Sequence, residues 1–241
     1  MSALTLTSNS TAVAMSLSLP ISANGGTPPY TYSIQAAGAG GLISPTGIYT
    51  SPPSIGIDTV IVVDSLLATA QLQISVMNPT LLVCDIIQSE LALAQGRVYL
   101  WDQKIGKSTD SGLYVVVGVL SAKPFASGRK YDGSGPGLNQ ITSANFQATL
   151  SIDIMSRGPD ARDRKEEIIL ALESNYSQSQ QELNSFYIAR ISSAFQNLSE
   201  EDGSAIPYRF NISVMIQYSV KKTKAVSYYN TFPTTGIITD N

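Results

Sequence analysis

The stretch SRGPDARDRKEEIILALES, residues 156–174, holds the densest collection of ionisable side chains in a chain that is only 14% charged. Nine charged residues fall between Arg157 and Glu173. Three kinds of chemistry use such a cluster: carboxylates doing acid–base work, cations gripping phosphate, or a basic face lying on nucleic acid. Each meets an objection in residue type or spacing. Glu166 and Glu167 are sequence neighbours, and adjacent helix positions do not converge on one substrate. SRGPDARDR lacks the glycine pattern and the following Lys-Ser/Thr of a phosphate loop, and acidic residues at the start of the helix repel an anion. The balanced signs disfavour a DNA-contact face. What remains is a helix from about Asp160 whose apolar stripe, Ala161, Ile168, Leu172 and Tyr176 with Ile169 beside it, belongs to a core. Pro159 and Asp160 suit the helix entrance, with Asp160 as N-cap and Asp163 in the first turn, and Arg162 precedes Glu166 by four residues, a spacing worth roughly 0.2–0.5 kcal/mol per opposite-charge pair. The charges are expected to face solvent or a neighbouring subunit, with Arg162, Arg164 and Lys165 as candidate interface residues.

The rest of the chain offers little else to catalysis. There is no histidine and a single cysteine, Cys84. That removes imidazole-activated nucleophiles, histidine-ligated metals, an internal disulfide and a cysteine zinc site. No enzyme, cofactor or metal is expected. Asp58 and Asp64 are poor calcium candidates, since calcium takes six to eight oxygens and turn aspartates more often bond nearby backbone. A net charge of −3 gives no general attraction to nucleic acid or to anionic membranes. No apolar run approaches the ~20 residues that span a bilayer. The opening MSALTLTSNSTAVAMSLSLPIS has no basic leader and alternates polar with apolar residues, so it reads as strand rather than secretory signal. Use or assembly in a cytoplasm follows as the expectation.

The charges are distributed unevenly along the elements that must carry them. No Lys or Arg precedes Arg97, and Asp58 and Asp64 are the only charges before Asp85. The shift, with turn chemistry in VMNPTL, places a domain boundary near Asn78. Before it, MSLSLPIS, YTYSI, TVIVV and QLQISV read as short strands separated by NGGTPP, GAGG, SPTG and SPPS, the pattern of a small β-sandwich. After it, a helix is expected from Thr80 to Gly96, then strands in RVYLWDQ and GLYVVVGVL. NFQATLSIDIM and YRFNISVMIQYSV alternate cleanly and are expected to pair antiparallel through matching apolar faces. The segment SAKPFASGRKYDGSGPGLNQITSA is glycine-rich and long, and reads as an extended hairpin arm or a projecting loop.

Two resemblances follow from these motifs. GGTPPYTYSI, GLISPTGIYTSP and DTVIVVDS, in that order, resemble bacterial and phage immunoglobulin-like modules. The turn after Asp64 departs from their pattern: it reads DSLLATA where a glycine is usual, making Leu66 and Leu67 a candidate contact tip or an end cap of the core. Over about residues 80–232, LNQITSA, SIDIMSRGPDARDRKEEIILALESNYS, the strand ending in Gln217 and Tyr218, and the closing SYYNTF resemble the neck and tail-terminator proteins of tailed bacteriophages. Asp153, Gly158 and Ala161 match the first part of that family pattern, and Tyr208, Arg209, Gln217 and Tyr218 the second. Ile206 and Pro207 stand where the family usually has glutamine.

Together these imply two domains: an all-β immunoglobulin-like sandwich over 1–77, and an α+β tail-terminator-like domain over 78–241 with a mainly antiparallel sheet flanked by helices. The second resemblance implies a structural virion protein, assembled in the host cytoplasm. It would form a homo-oligomeric ring, typically a hexamer, at the phage neck. Such a ring terminates the tail tube or sheath, joins the head–tail connector protein and leaves a channel for double-stranded DNA without sequence recognition. Lys123, Pro124, Phe125, Arg129, Lys130 and Tyr131 of the arm, and Tyr228 and Tyr229 of the tail, are the further candidate interface residues. The rival reading is a surface- or glycan-binding virion protein that uses Tyr30, Tyr32 and Tyr49 of the sandwich, with the second domain as anchor.

Overall fold

The computed structural model describes residues 2–52, 54–102, 110–133, 137–199 and 208–227. Eight strands come first: β1 (Thr5–Ser8), β2 (Ala12–Ala14), β3 (Ser18–Asn24), β4 (Thr31–Ala37), β5 (Leu42–Ile43), β6 (Ile48–Thr50), β7 (Gly56–Val63) and β8 (Thr69–Met77). They form two four-stranded sheets, ordered β1-β3-β6-β5 and β2-β8-β7-β4. Alternating residues of the two sheets, among them Leu19, Ile21, Tyr49, Val60, Ile74 and Val76, bury against one another, as period-2 patterning requires.

Helix α1 (Pro79–Glu90) follows at once. Asn78 caps it, its side chain accepting the Leu81 N–H at 2.8 Å, and Pro79 occupies the first turn, where a missing N–H costs nothing. The helix ends well before Gly96: Leu91 is the C-cap and Ala92 turns out with φ of 51°. Then come β9 (Val98–Leu100), β10 (Tyr114–Asp132) and β11 (Leu138–Ser156). The charged stretch forms α2 (Asp160–Arg164) and α3 (Glu167–Leu172), and α4 (Asn175–Asn184) follows. The chain closes with β12 (Phe186–Ile188), β13 (Gln196–Asn197) and β14 (Tyr208–Val226). The third sheet runs β12-β14-β11-β10-β9, with β13 also on β14.

At the centre of this sheet β11 pairs antiparallel with both β10 and β14. Ile152 lies between Val117 and Ile212, and Ile154 between Val115 and Phe210. These rows face the helices and bury with Leu82, Ile86, Ala161, Ile168 and Leu172, each large side chain contributing roughly 1.5–3 kcal/mol relative to exposure. Among the described residues, the other face of the sheet carries a small cluster of Tyr114, Val116 and Met155 with Tyr99 against it.

The expected fold class is corrected by this structure. In place of an immunoglobulin-like sandwich followed by an α+β domain with a sheet flanked by helices, the chain is mostly β throughout, 51% strand and 16% helix, in three sheets. Two physical reasons account for the difference. Three strands of 19 residues each, β10, β11 and β14, lengthen the sheet, and the first two form the extended hairpin that was one of the two expectations for that segment. The helices are short and pack on one face of their sheet. The large core also crosses the chain: Ala12 and Ala14 of β2 bury in the same cluster as α1 and α3. Asn184 of α4 ties the two regions, its Oδ1 accepting the Ala14 N–H at 2.6 Å while its Nδ2 donates to the Gln180 carbonyl at 3.0 Å.

Candidate assembly surface

Beyond the helical layer, β10, β11 and β14 continue together as a three-stranded ribbon over 119–132, 138–147 and 217–226. At 3.2–3.4 Å per residue, the 14 residues of β10 in it reach roughly 45 Å. Two bulges in β10 mark where the ribbon leaves the body. Leu120 is the extra residue between Val119 and Ser121, and Phe125 the extra residue between Pro124 and Ala126. A bulge breaks the ladder locally, bends the strand and increases its twist. Along β10, residues 119 to 132 are all exposed. β9 pairs β10 only over 115–117, and β12 pairs β14 only over 216–218. Beyond Tyr218 both outer edges of the ribbon therefore lack a strand partner among the described residues.

The register sorts the ribbon's side chains. Arg129, Thr142 and Lys222 form one cross-strand row, and Tyr131, Gln140 and Lys224 form the row two residues along, so all six project from the same face. Lys130 and Lys221 project from the other. Lys123, Arg129, Lys130, Lys221, Lys222 and Lys224 are all exposed, and none is ion-paired to a described residue. Asp132 is the ribbon's single carboxylate. Val119, Leu120, Phe125, Tyr131 and Val220 add exposed apolar surface. Charge and proline on an edge strand oppose indiscriminate strand addition.

Lys123, Pro124, Phe125, Arg129, Lys130 and Tyr131 thus come together on this ribbon. Sequence reading missed Lys221, Lys222 and Lys224, whose signal was the KKTK run directly after an alternating strand. Tyr228 and Tyr229 lie outside the described residues. Arg162, Arg164 and Lys165 sit elsewhere, on the helical layer, and are engaged within the chain. The Arg162 guanidinium lies 5.6 Å from the Tyr208 ring centroid and the Lys165 ammonium 5.2 Å from that of Phe210. Arg164 donates to the Leu91 carbonyl at 3.3 Å, at the C-terminal end of α1, and pairs with Glu167 at 2.7 Å. The spacing of four between Arg162 and Glu166 is not used: Arg162 pairs with Asp163 and Lys165 with Glu166, each at 2.7 Å.

The other candidates resolve into structural roles. The Asp64 carboxylate accepts the N–H groups of Thr27, Leu66 and Ala68 at 2.8–2.9 Å, which together hold it below the usual carboxylate range, the Thr27 bond foremost. Asp58 is likewise ringed by donors, and a carboxylate so surrounded has no face for a cation. Tyr49 is fully buried against Asp58, Tyr30 donates to the Gly25 carbonyl, and the Tyr32 hydroxyl accepts the Ala23 N–H. Leu66 and Leu67 are an exposed tip, 62% and 81% accessible, with Leu67 at φ of 65°. Burial pushes the Cys84 thiol up to about 12, away from reactive thiolate.

Among the described residues no three His, Cys, Asp or Glu side chains gather as a metal site would require. A cavity of about 510 Å³ beside Trp101 contains Asp153, but this carboxylate already accepts from Arg209 at 3.3 Å and Asn211 at 3.0 Å. It serves as a counter-ion. No family model matches the chain, and no curated relative was found for it.

Proposed function

We propose that this chain is a structural subunit of a tailed-bacteriophage neck. It assembles as a homo-oligomeric ring, typically a hexamer, that ends the tail tube or sheath, meets the head–tail connector and leaves a channel for double-stranded DNA. The observation that carries this reading is the ribbon: an ordered β-structure whose outer edges beyond Tyr218 lack a strand partner among the described residues, and whose β10 strand is exposed from 119 to 132. Ordering residues costs about 1–2 kcal/mol each in backbone entropy, and a ribbon that buries so little repays that cost best when a partner covers it. The order of motifs from LNQITSA to SYYNTF gives the assembly its identity, and the surface ribbon gives it a means. Rings need heterologous contacts, in which one patch of a subunit meets a different patch of the next.

Glycan recognition through Tyr30, Tyr32 and Tyr49 is disfavoured, because Tyr49 is inaccessible and the hydroxyls of the other two are satisfied internally. A catalytic role is also disfavoured, since the acidic residues Asp163, Glu166 and Glu167 of the charged stretch are each held by a neighbouring cation.

The test is location. Immunogold labelling or cryo-electron microscopy of virions that carry this protein is expected to place it as a ring between head and tail. Its absence from the necks of those virions would sink the proposal.

A further inference from the structure

The ribbon carries six of the chain's fifteen cations and one of its eighteen carboxylates, which leaves nine cations against seventeen carboxylates on all other residues. One molecule therefore holds a basic projection and an acidic body. Among the described residues, part of that acidic surplus lies on the helical layer. Most carboxylates of the charged stretch are paired to neighbouring cations. Glu173, which caps α3, and Glu182 of α4 are exposed and have no ion pair among the described residues. They line an open cleft of about 540 Å³ with Gln178, Gln181 and Tyr187, and no cation lines it. Tyr187 is 55% accessible, so the cleft offers apolar as well as acidic surface.

We infer that the basic ribbon of one copy docks in the Glu173–Glu182 cleft of the next copy. Ribbon and cleft are different surfaces, so the contact is heterologous and propagates around a ring rather than stopping at a dimer. Complementary potentials of this kind set register and speed encounter. A DNA phosphate backbone would meet the lysines but leave Val119, Leu120, Phe125 and Val220 uncovered. A protein surface that is both acidic and partly apolar matches both features. This contact rests on the ring reading given above and specifies which surfaces close the ring.

The full chain is tested by sedimentation velocity over a range of salt, as wild type, as Lys222→Glu/Lys224→Glu, and as Glu173→Lys/Glu182→Lys. All four positions are exposed, and far-UV circular dichroism with a melting curve verifies that each variant folds. Wild type is expected to associate, and to do so less as salt rises. Each double variant is expected to associate roughly tenfold more weakly or worse. An equimolar mixture of the two is expected to regain association, because reversed ribbon then meets reversed cleft and native ribbon meets native cleft. Wild type that stays monomeric to its solubility limit, either variant associating as wild type does, or a mixture that stays dissociated, each overturns the inference. So does a ribbon variant that assembles normally but loses retention of double-stranded DNA. Charge-swap assembly by a protein absent from virion necks would uphold this contact and remove the neck assignment. The reverse pair of results would do the opposite.

Discussion

The hydroxyl of Tyr49 donates to the Asp58 carboxylate at 2.6 Å, and three consecutive backbone N–H groups, of Ala39, Gly40 and Gly41, close on the same carboxylate at 2.8, 3.2 and 2.7 Å. Both side chains are fully buried. Position 41 must be glycine, because a Cβ there would stand 2.5 Å from both the Tyr49 hydroxyl and Asp58 Oδ2. One buried anion thereby fixes a loop that has no other regular structure.

Removing that anion leaves four donors without their acceptor. Asp58→Ala is expected to cost about 3 kcal/mol or more, and Tyr49→Phe about 1–2 kcal/mol, in urea unfolding. Burial pushes the Asp58 carboxyl up, but the Tyr49 hydroxyl and the three N–H groups outweigh it and hold it below the ordinary value. A lowered carboxyl contributes stability that is present above its unfolded pKa, about 3.9, and lost as pH falls through the folded value. Wild type is therefore expected to lose stability below about pH 4 more steeply than Asp58→Asn. Equal acid limbs for the two proteins would contradict this.

Asn184 joins the strand Ala12–Ala14 to the helical layer, and those alanines share the large core. The two regions are accordingly expected to unfold in one transition, with circular dichroism and Trp101 fluorescence coincident. Asn184→Ala is expected to destabilise by about 1–3 kcal/mol, since it strands the buried Ala14 N–H. Two separated transitions in wild type would show that the link carries no cooperativity.

Leu67 holds a left-handed φ of 65° at an exposed tip. That conformation costs a non-glycine residue roughly 1–2 kcal/mol, against about 0.5–1 kcal/mol for the extra freedom of glycine when unfolded. Leu67→Gly is expected to raise stability by about 0.5 kcal/mol, read as a higher urea midpoint at constant slope. A lower midpoint would mean that the leucine packs in a way its exposure does not reveal.

What the sequence revealed followed the physics of burial. Phe146–Ile154 and Tyr208–Tyr218 alternate because one face of each strand is buried, and they pair as expected, Phe146 opposite Tyr218 and Ile154 opposite Phe210. The ribbon residues Pro124–Asp132 carry no such alternation because both their faces meet water, so the sequence left a hairpin arm and a projecting loop open; the structure forms the hairpin. The stripe Ala161, Ile168 and Leu172 is buried as its spacing required. The helix nevertheless breaks: Ser174 adopts an extended conformation and caps α4 instead of continuing α3. Contacts such as Arg164 with the Leu91 carbonyl, or Tyr49 with Asp58, join residues through the fold and leave no local pattern. The cation surplus of the ribbon was legible only once Lys221–Lys224 and Arg129–Lys130 stood on the two strands that flank β11.

The claim that the ribbon is the assembly surface is tested most directly by amide hydrogen exchange on the free subunit and on the assembled particle. Along the outer edges of 119–131 and 219–226 the outward-facing N–H groups have no strand partner among the described residues. The account predicts fast exchange there in the free subunit and marked protection on assembly, with additional protection around Glu173 and Glu182. Assembly that leaves exchange along both ribbon edges unchanged would contradict it.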